Sequence, residues 1–308
     1  MAKLKCIESL LTDFQSQRPM RGGSLIVSIF GDSIAQHGGS VWLGSLIEAL
    51  KPFGLNQRLV RTSVYRLIQD NWLSSVQIGR RSYYSFTEFG LRQYQKTARR
   101  IYSAHREKWD GQWTLLMPAF VEGERDELIR ELRWLGYGAL TSGVLARPGA
   151  DRRSLDETLQ ELGVVDKVVV MNAHSEELAS QKVLKQMSQT CWNLDELETR
   201  YSDFLTRFRP VMAAINKSKS LEPGQCFQLR TLLIHEYRRI LLKDTDLPDD
   251  LLPADWAGKA ALNLTSNIYR ATYVGAEEYL LGLMENADGK LPRADAHFYE
   301  RFGGLAEA

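Results

Sequence analysis

The 308-residue chain is 44% hydrophobic and 25% charged, which is ordinary for a globular protein and too long for one average domain. Its apolar runs fall short of the roughly 18 residues that span a bilayer, no signal-type core follows Met1, and the three cysteines form no CxxC pair. We therefore expect a cytoplasmic protein of two or three domains, without a membrane segment, a disulfide framework or a zinc ribbon.

The net charge of +1 conceals an uneven distribution of charge along the chain. Residues 1–110 hold 16 Lys and Arg against 8 Asp and Glu, whereas residues 111–308 hold 23 against 30. Only the first third of the chain therefore has the positive excess that favours binding to a polyanion such as nucleic acid.

The first motif in chain order is Gly-Asp-Ser at 31–33, directly after an apolar run. It resembles the nucleophile block of GDSL-type serine esterases, in which Ser33 would attack an ester with a histidine as base. The oxyanion-hole block GxND of those enzymes is missing, and Asp295-Ala296-His297 is one residue short of their DxxH block. The simpler interpretation is a core helix from Leu25 to Phe30 that the Gly-Asp-Ser motif ends, with the esterase as the alternative.

Two helices are predicted next. In residues 41–53, apolar side chains at helical spacing predict a helix that begins after Ser40 and ends at Pro52 and Gly54. A second amphipathic helix follows, with Asn56 as its N-cap and an apolar stripe that includes Val60 and Val64.

The face opposite that stripe is polar and cationic, and a hairpin with two arginines at its turn follows at once. A charged surface helix alone would be unremarkable, but this order of elements is typical of a winged helix that binds DNA in the major groove. The predicted DNA contacts are Gln57, Arg58, Arg61, Thr62, Tyr65, Arg66, Gln69, Arg80 and Arg81. The basic residues Arg92, Lys96, Arg99, Arg100, Arg106 and Lys108 then form either a phosphate-facing surface or an ordinary solvated face.

After Trp109-Asp110-Gly111 the pattern changes to strand, helix, strand, helix, strand. The predicted elements are strands at 113–120, 138–146 and 164–171 and helices at 125–134 and 155–162. This alternation favours a small ferredoxin-like α+β module that pairs edge to edge in a homodimer. Residues 1–108, 109–175 and 176–308 are thus predicted to be a DNA-binding domain with a basic linker helix, a dimerisation domain and a helical domain.

The last third is predicted to be all-helical, with helices at 178–191, 194–215, 223–244 and 254–283. It contains HEYRRILLKD at 235–244, where cations lie beside aromatic residues. Such a cluster either binds a phosphorylated, partly aromatic ligand or consists of ordinary helix-end charges. HEYRR lacks the second histidine of HExxH, and the chain has no GxxxxGK[ST] or GxGxxG loop, so we expect no metal and no nucleotide cofactor.

Taken together, several long segments resemble the PaaX family, repressors of bacterial phenylacetate-degradation operons. The matching segments, which extend over nearly the whole chain, are FGDSIAQHGGSVWLGSL, RLVRTSVYRL, IGRRSYYSF, WDGQW, LLIHEYRRILLKD, LLPADWAG and FYERFGGL. The resemblance implies an α+β multidomain protein with a GntR-like winged helix-turn-helix at the N-terminus, a central ferredoxin-like (Cas2-like) domain and an all-α C-terminal domain. It also implies that the Gly-Asp-Ser motif is a family feature of a regulator, which counts against the esterase alternative.

The function that the resemblance implies is a dimeric, non-enzymatic repressor that binds operator DNA. Because a dimer presents two recognition helices, we expect the double-stranded operator to be an inverted repeat. Phenylacetyl-CoA or a related aryl-CoA thioester would release it. Because a CoA ester brings phosphates and an aryl group, the candidate effector residues are Arg238, Arg239, Lys243 and Trp256. The Cas2-like domain also raises a third class, a metal-dependent nuclease, but Asp110 is the only carboxylate beside its first strand and precedes that strand.

Overall fold

The computed structural model of the chain describes residues 3–19, 22–103, 109–121, 123–149, 152–174, 178–218 and 220–306. Its packing divides the chain into two compact units. The first unit comprises residues 1–104, 202–239 and 259–308, and the second comprises residues 105–201 and 240–258. Each unit therefore combines segments far apart in sequence, in contrast to the three consecutive segments inferred from sequence patterns.

Up to residue 174 the described residues form seven α-helices and seven strands. The helices are α1 (Lys5–Ser16), α2 (Gly22–Ile29), α3 (Leu43–Leu50), α4 (Gln57–Gln69), α5 (Glu88–Tyr102), α6 (Arg125–Trp134) and α7 (Arg152–Glu161). The strands are β1 (Ser40–Trp42), β2 (Leu73–Ile78), β3 (Arg81–Phe86), β4 (Gln112–Met117), β5 (Gly138–Thr141), β6 (Val144–Pro148) and β7 (Val169–His174).

The remaining elements are mostly helical. They are α8 (Leu178–Cys191), α9 (Leu194–Lys217), α10 (Pro223–Leu241), α11 (Ala257–Leu283), the strands β8 (Glu285–Asn286) and β9 (Gly289–Lys290), and α12 (Ala296–Tyr299). The helical predictions for this region are close to these bounds, but the β8–β9 hairpin was not predicted because each strand has only two residues. No helix in the described ranges is long and apolar enough to cross a membrane.

Helix α2 does not stop at the Gly-Asp-Ser motif. It continues as a π-helical turn over Phe30–Ile34, in which the amide of Ala35 donates to the carbonyl of Phe30 at 2.7 Å. Gly31 is needed in this turn because a Cβ there would lie only 2.0 Å from the ring of Tyr94. The prediction that the motif ends the helix is therefore wrong, because the backbone hydrogen bond from Ala35 to Phe30 continues the helical backbone through the motif.

The predicted helix over 41–53 also begins later than expected. Residues Ser40–Trp42 form strand β1, which pairs antiparallel with β3, and α3 starts only at Leu43. The pairing order of the sheet is β1-β3-β2, with Trp42 and Val76 on either side of Tyr83. Strand β1 was missed because its backbone bonds go to a segment about 40 residues away, which helical periodicity cannot reveal.

The second unit contains the four-stranded antiparallel sheet. Its elements run β4-α6-β5-β6-α7-β7 along the chain, and its strand order is β5-β6-β4-β7, which is the ferredoxin-like arrangement. Leucines of β4, α6 and α7 (Leu116, Leu128, Leu132, Leu155, Leu159) form its buried core. The single strand predicted over 138–146 is instead a hairpin, because the turn at Ser142-Gly143 reverses the chain between β5 and β6.

Candidate nucleic-acid interface

Helix α4 presents one buried face and one exposed face. Asn56 caps it, since its Oδ1 accepts a hydrogen bond from the amide of Leu59 at 2.9 Å. The buried face holds Val60 and Val64 together with Ser63 and Leu67, and packs into the first unit. Every α4 residue that was predicted to contact DNA is exposed: Gln57, Arg58, Arg61, Thr62, Tyr65, Arg66 and Gln69.

The β2–β3 hairpin presents its arginines at a two-residue turn. Ile78 pairs with Arg81, and Gly79 adopts φ +60° between them, a conformation that glycine tolerates best. Arg80 and Arg81 are both exposed. Val76 and Ile78 are 59% and 52% exposed, so one side of the hairpin is apolar and open to solvent.

The two arginines of the turn differ in how firmly they are held. The guanidinium of Arg81 donates to Glu285 at 2.7 Å and lies 4.2 Å from the ring centre of Trp42. The hydrogen bond with the Glu285 carboxylate also raises the pKa of Arg81. Arg80 has no ion pair within the described ranges. Arg81 is therefore oriented in advance, whereas Arg80 is available to a partner.

The charge of this surface is almost entirely of one sign. Between Asn56 and Phe86 the sequence has five arginines, no lysine and one acidic residue, Asp70. Arginine guanidinium groups donate to both phosphate oxygens and guanine edges, and Asn, Gln, Thr and Tyr side chains supply further contacts. The arrangement thus has the chemistry of a surface that binds a nucleic-acid duplex.

The first unit, which contains this surface, also contains a buried charge network. The carboxylate of Asp32 accepts from the hydroxyls of Tyr102 at 2.6 Å and Tyr269 at 3.0 Å. It also forms ion pairs with Arg230 and Arg301, both at 3.1 Å. The π-helical turn that continues α2 is thereby attached to α5, α10, α11 and the C-terminal segment.

The network extends through Arg230 to a second carboxylate. Arg230 is fully buried, and its Nη1 donates to Glu277 at 2.7 Å, while His37 Nε2 lies 2.6 Å from Glu277. Burial alone would raise the pKa of Glu277, but the charge of Arg230 and the hydrogen bond with His37 outweigh it and lower that pKa to about 2. The carboxylate therefore stays ionised in the folded protein.

This geometry does not support the esterase alternative. Ser33 is fully buried, and its Oγ accepts from Arg230 Nη2 at 2.9 Å. The nearest histidine, His37, contacts the backbone carbonyl of Ser33 and not its hydroxyl. A nucleophile needs both an adjacent base and access for substrate, and Ser33 has neither.

The four candidate effector residues belong to both units, two to each. Arg238 is buried in the first unit, and Arg239, also there, pairs with Glu236 at 3.2 Å. Lys243 and Trp256 belong to the second unit, where Lys243 is exposed and Trp256 is buried with its ring centre 5.7 Å from that of Tyr201.

Arg106 and Lys108, from the predicted basic helix, lie outside the described residues, and that helix, α5, ends at Tyr102. Asp110 is exposed and accepts from the amide of Gln112 at 2.9 Å.

Sequence reasoning missed the residues of the buried charge network. Asp32 was assigned to a helix end, while Arg230, Glu277 and Arg301 were not singled out at all. The one available signal was the placement of charged residues within apolar stretches, such as Arg230 in QLRTLLI. Charge partners 200 residues apart cannot be paired from such a pattern.

Known proteins resemble this chain along most of its length. Three family models match, described as PaaX-like protein over residues 21–90, PaaX protein central Cas2-like domain over 106–184, and PaaX-like protein C-terminal domain over 192–282. The Transcriptional repressor PaaX of Escherichia coli strain K12 is 37% identical over 289 residues, covering 93% of this chain and 92% of that protein. An uncharacterised protein from Mycobacterium tuberculosis shares the fold with a TM-score of 0.51 at 19% identity, covering 81% of this chain and 96% of that one.

Proposed function

The chain belongs to the PaaX family of transcriptional repressors, and we propose that it represses phenylacetate (aryl-CoA) catabolic genes by binding their operator DNA. The activity is binding, and the chain is not an enzyme. The observation that carries the proposal is the exposed cationic face of α4 beside the arginine-tipped hairpin. These elements are consecutive in sequence, and together they place exposed guanidinium groups where a polyanion can contact them.

The DNA-binding segment is proposed to be a GntR-like winged helix-turn-helix made of α2, α3, α4 and the sheet β1-β3-β2. In this assignment α4 enters the major groove, and the β2–β3 hairpin is the wing that touches phosphate or the minor groove. The assignment is supported by the exposure of all nine predicted contacts and by the buried apolar face of α4, which fixes the direction of its polar face.

The protein is proposed to act as a homodimer on an inverted repeat, with the ferredoxin-like sheet as the dimerisation module. Strand β7 supports this role because it is at an edge of the sheet and has exposed apolar residues, Val169 at 42% and Met171 at 49%. An exposed edge with apolar side chains favours pairing with a second strand of the same kind.

The proposed effector is phenylacetyl-CoA or a related aryl-CoA thioester. If the effector binds more tightly to a DNA-incompetent arrangement of the dimer, it lowers operator affinity, and DNA lowers effector affinity by the same factor. This part of the proposal rests on the resemblance to the PaaX family alone.

A footprint on the chain's own upstream region, with and without phenylacetyl-CoA, tests the proposal. We expect protection of an inverted repeat that the thioester abolishes. Arg61→Ala should weaken operator binding by about 1–3 kcal/mol and relax sequence preference at one position of each half-site if Arg61 contacts a base. The proposal fails if the wild type protects no upstream sequence at concentrations where it is folded.

A further inference from the structure

A groove of about 830 Å³ lies in the first unit, between the N-terminal turn of α2 and α4. That volume is within the range of small-molecule sites. The two helices approach closely at Gly22, where a Cβ would lie 2.8 Å from the hydroxyl of Ser63. The amino-terminal turns of both helices line the groove, and the partial positive charge of a helix N-terminus favours an anion there, although the Leu59 amide of α4 already donates to Asn56.

Arg238 of α10 lines the groove and is nearly inaccessible, with a relative exposure of 6%. Its Nε and Nη1 atoms have no hydrogen-bond partner in the described part of the chain, and the ring centre of Tyr94 lies 5.9 Å from the guanidinium carbon. Burial lowers the pKa of this guanidinium group. A buried cation normally has a paired anion, since desolvation without compensation is unfavourable.

The other charged residues of the groove strengthen the case for an anion. Arg58 and Arg66 line it from α4, and Asp70 is the single acidic residue among its lining. Three guanidinium groups against one carboxylate match a phosphate group, which accepts several charge-assisted hydrogen bonds at once. Trp72 also lines the groove and offers an apolar surface beside these charges.

We propose that this groove binds a phosphate group of a small-molecule ligand, with Arg238 at its base and Arg58 and Arg66 from α4. The inference rests on the proposed function in one respect, because it identifies the ligand class with the CoA thioester effector, whose CoA portion carries phosphates. Arg58 and Arg66 are also predicted DNA contacts. An occupied groove therefore competes with the operator for the same guanidinium groups.

Calorimetric titration of the full chain with CoA, at fixed ionic strength, tests the site directly. Gly23→Asp is the main variant because a Cβ at Gly23 meets nothing within 4 Å, so the new carboxylate enters open space at the groove. Gly23→Ala is its matched control. We expect the aspartate to weaken CoA binding by roughly tenfold or more, and the alanine to leave it unchanged.

A second pair of variants tests the buried guanidinium. Arg238→Met keeps an unbranched, flexible side chain but shortens it and removes its charge. Arg207→Gln is the control, because Arg207 is another arginine of the first unit that pairs with Glu236 and does not line the groove. We expect the first to weaken CoA binding by about 10- to 100-fold and the second to have little effect. Thermal unfolding identifies a folding defect, and in that case the Gly23 pair alone decides.

Three outcomes overturn the inference. If the wild type, Gly23→Asp and Arg238→Met bind CoA with equal affinity, the ligand binds elsewhere. The proposed function then still stands if phenylacetyl-CoA releases the protein from its operator. Absence of CoA binding, combined with a reduced salt dependence of DNA binding in Arg238→Met, assigns the groove to a DNA phosphate. Displacement of CoA by millimolar inorganic phosphate alone identifies an unspecific anion site. Conversely, groove-dependent CoA binding without any operator binding supports the site and refutes the proposed repressor.

Discussion

The carboxylate of Asp32 links the π-helical turn to α5, α10, α11 and the C-terminal segment. Its carboxylate is 2% exposed and is shared by two arginines and two tyrosines. Each of these groups loses its hydration on burial and depends on its partners for compensation. Removing one member therefore leaves the others under-compensated and lowers the stability of the fold. Because Asp32 lies in the π-helical turn that continues α2, loss of its charge affects how α2 is held against α10 and α11.

Replacing Asp32 with Asn removes that charge and leaves Arg230 and Arg301 buried with fewer counter-charges. We expect Asp32→Asn to lower the free energy of unfolding by about 3–5 kcal/mol, measured by chemical denaturation. Ser33→Ala is the matched control, because it removes one hydrogen bond to Arg230 and should cost only about 1 kcal/mol. If the two variants unfold at the same denaturant concentration, the ion pairs of Asp32 contribute no more than one neutral hydrogen bond.

The lowered pKa of Glu277 predicts a specific sensitivity to acid. Because its folded-state pKa of about 2 lies below the ordinary value of 4.5, its contribution to stability is complete above pH 4.5 and is lost as the pH falls to about 2. The size of that loss is on the order of 3 kcal/mol. Glu277→Gln should be less stable at neutral pH and should lose less stability between pH 4.5 and 2.

Denaturation curves at several pH values measure this effect, and Glu88→Gln is the control. Glu88 pairs with Arg92 on the surface, with its side chain 84% exposed, so its replacement should leave the pH profile of the wild type unchanged. An equal acid response in the wild type and Glu277→Gln would show that His37 and Arg230 do not stabilise the ionised carboxylate.

Elements with strong local patterns were predicted well. Helix α4 and the β2–β3 hairpin follow from an apolar stripe, an N-cap at Asn56 and a glycine turn at Gly79, which all act within a few residues. Strand β1 and the π-helical turn could not be predicted, because partners on β3 and α5 determine them. The same limit applies to Arg81, whose contact with Glu285 joins residues 204 positions apart.

The two arginines of the hairpin should contribute unequally to DNA binding. Arg80→Ala should reduce the slope of log K against log salt by about 0.9, the value for one phosphate contact. Arg81→Ala should change the slope less, because Glu285 already neutralises much of the charge of Arg81. Binding titrations on the upstream DNA at four or five salt concentrations measure both slopes.

Arg153→Ala is the control for this series, since Arg153 pairs with Glu157 in α7 and is not a predicted DNA contact. An unchanged slope in Arg80→Ala would mean that the turn does not reach phosphate. Equal reductions in both variants would mean that Arg81 leaves Glu285 when DNA binds.

Residues 1–104, which make up most of the positive N-terminal third, pack with residues 202–239 and 259–308 in the first unit. Phe14 of α1 lies edge-on to His235, with 5.7 Å between ring centres, and Phe53 lies 6.3 Å from Phe227. The Asp32 network adds ion pairs between the same two parts of the chain. The segment that carries the proposed DNA contacts therefore takes much of its core from residues beyond position 201.

A fragment of residues 1–108 should consequently fail to fold by itself, although sequence patterns define it as a domain. Without the C-terminal helices, Asp32 lacks both arginines, and Phe14 and Phe53 lose aromatic partners. We expect far-UV circular dichroism to show no cooperative thermal transition for the fragment, and DNA affinity to fall by at least roughly a hundredfold relative to the full chain, since the folded state is then a minor population. A fragment that melts cooperatively and binds the operator as tightly as the full chain would show that α10 and α11 are dispensable for the fold of the DNA-binding segment. It would also show that the buried ion pairs serve another purpose than holding that segment in place.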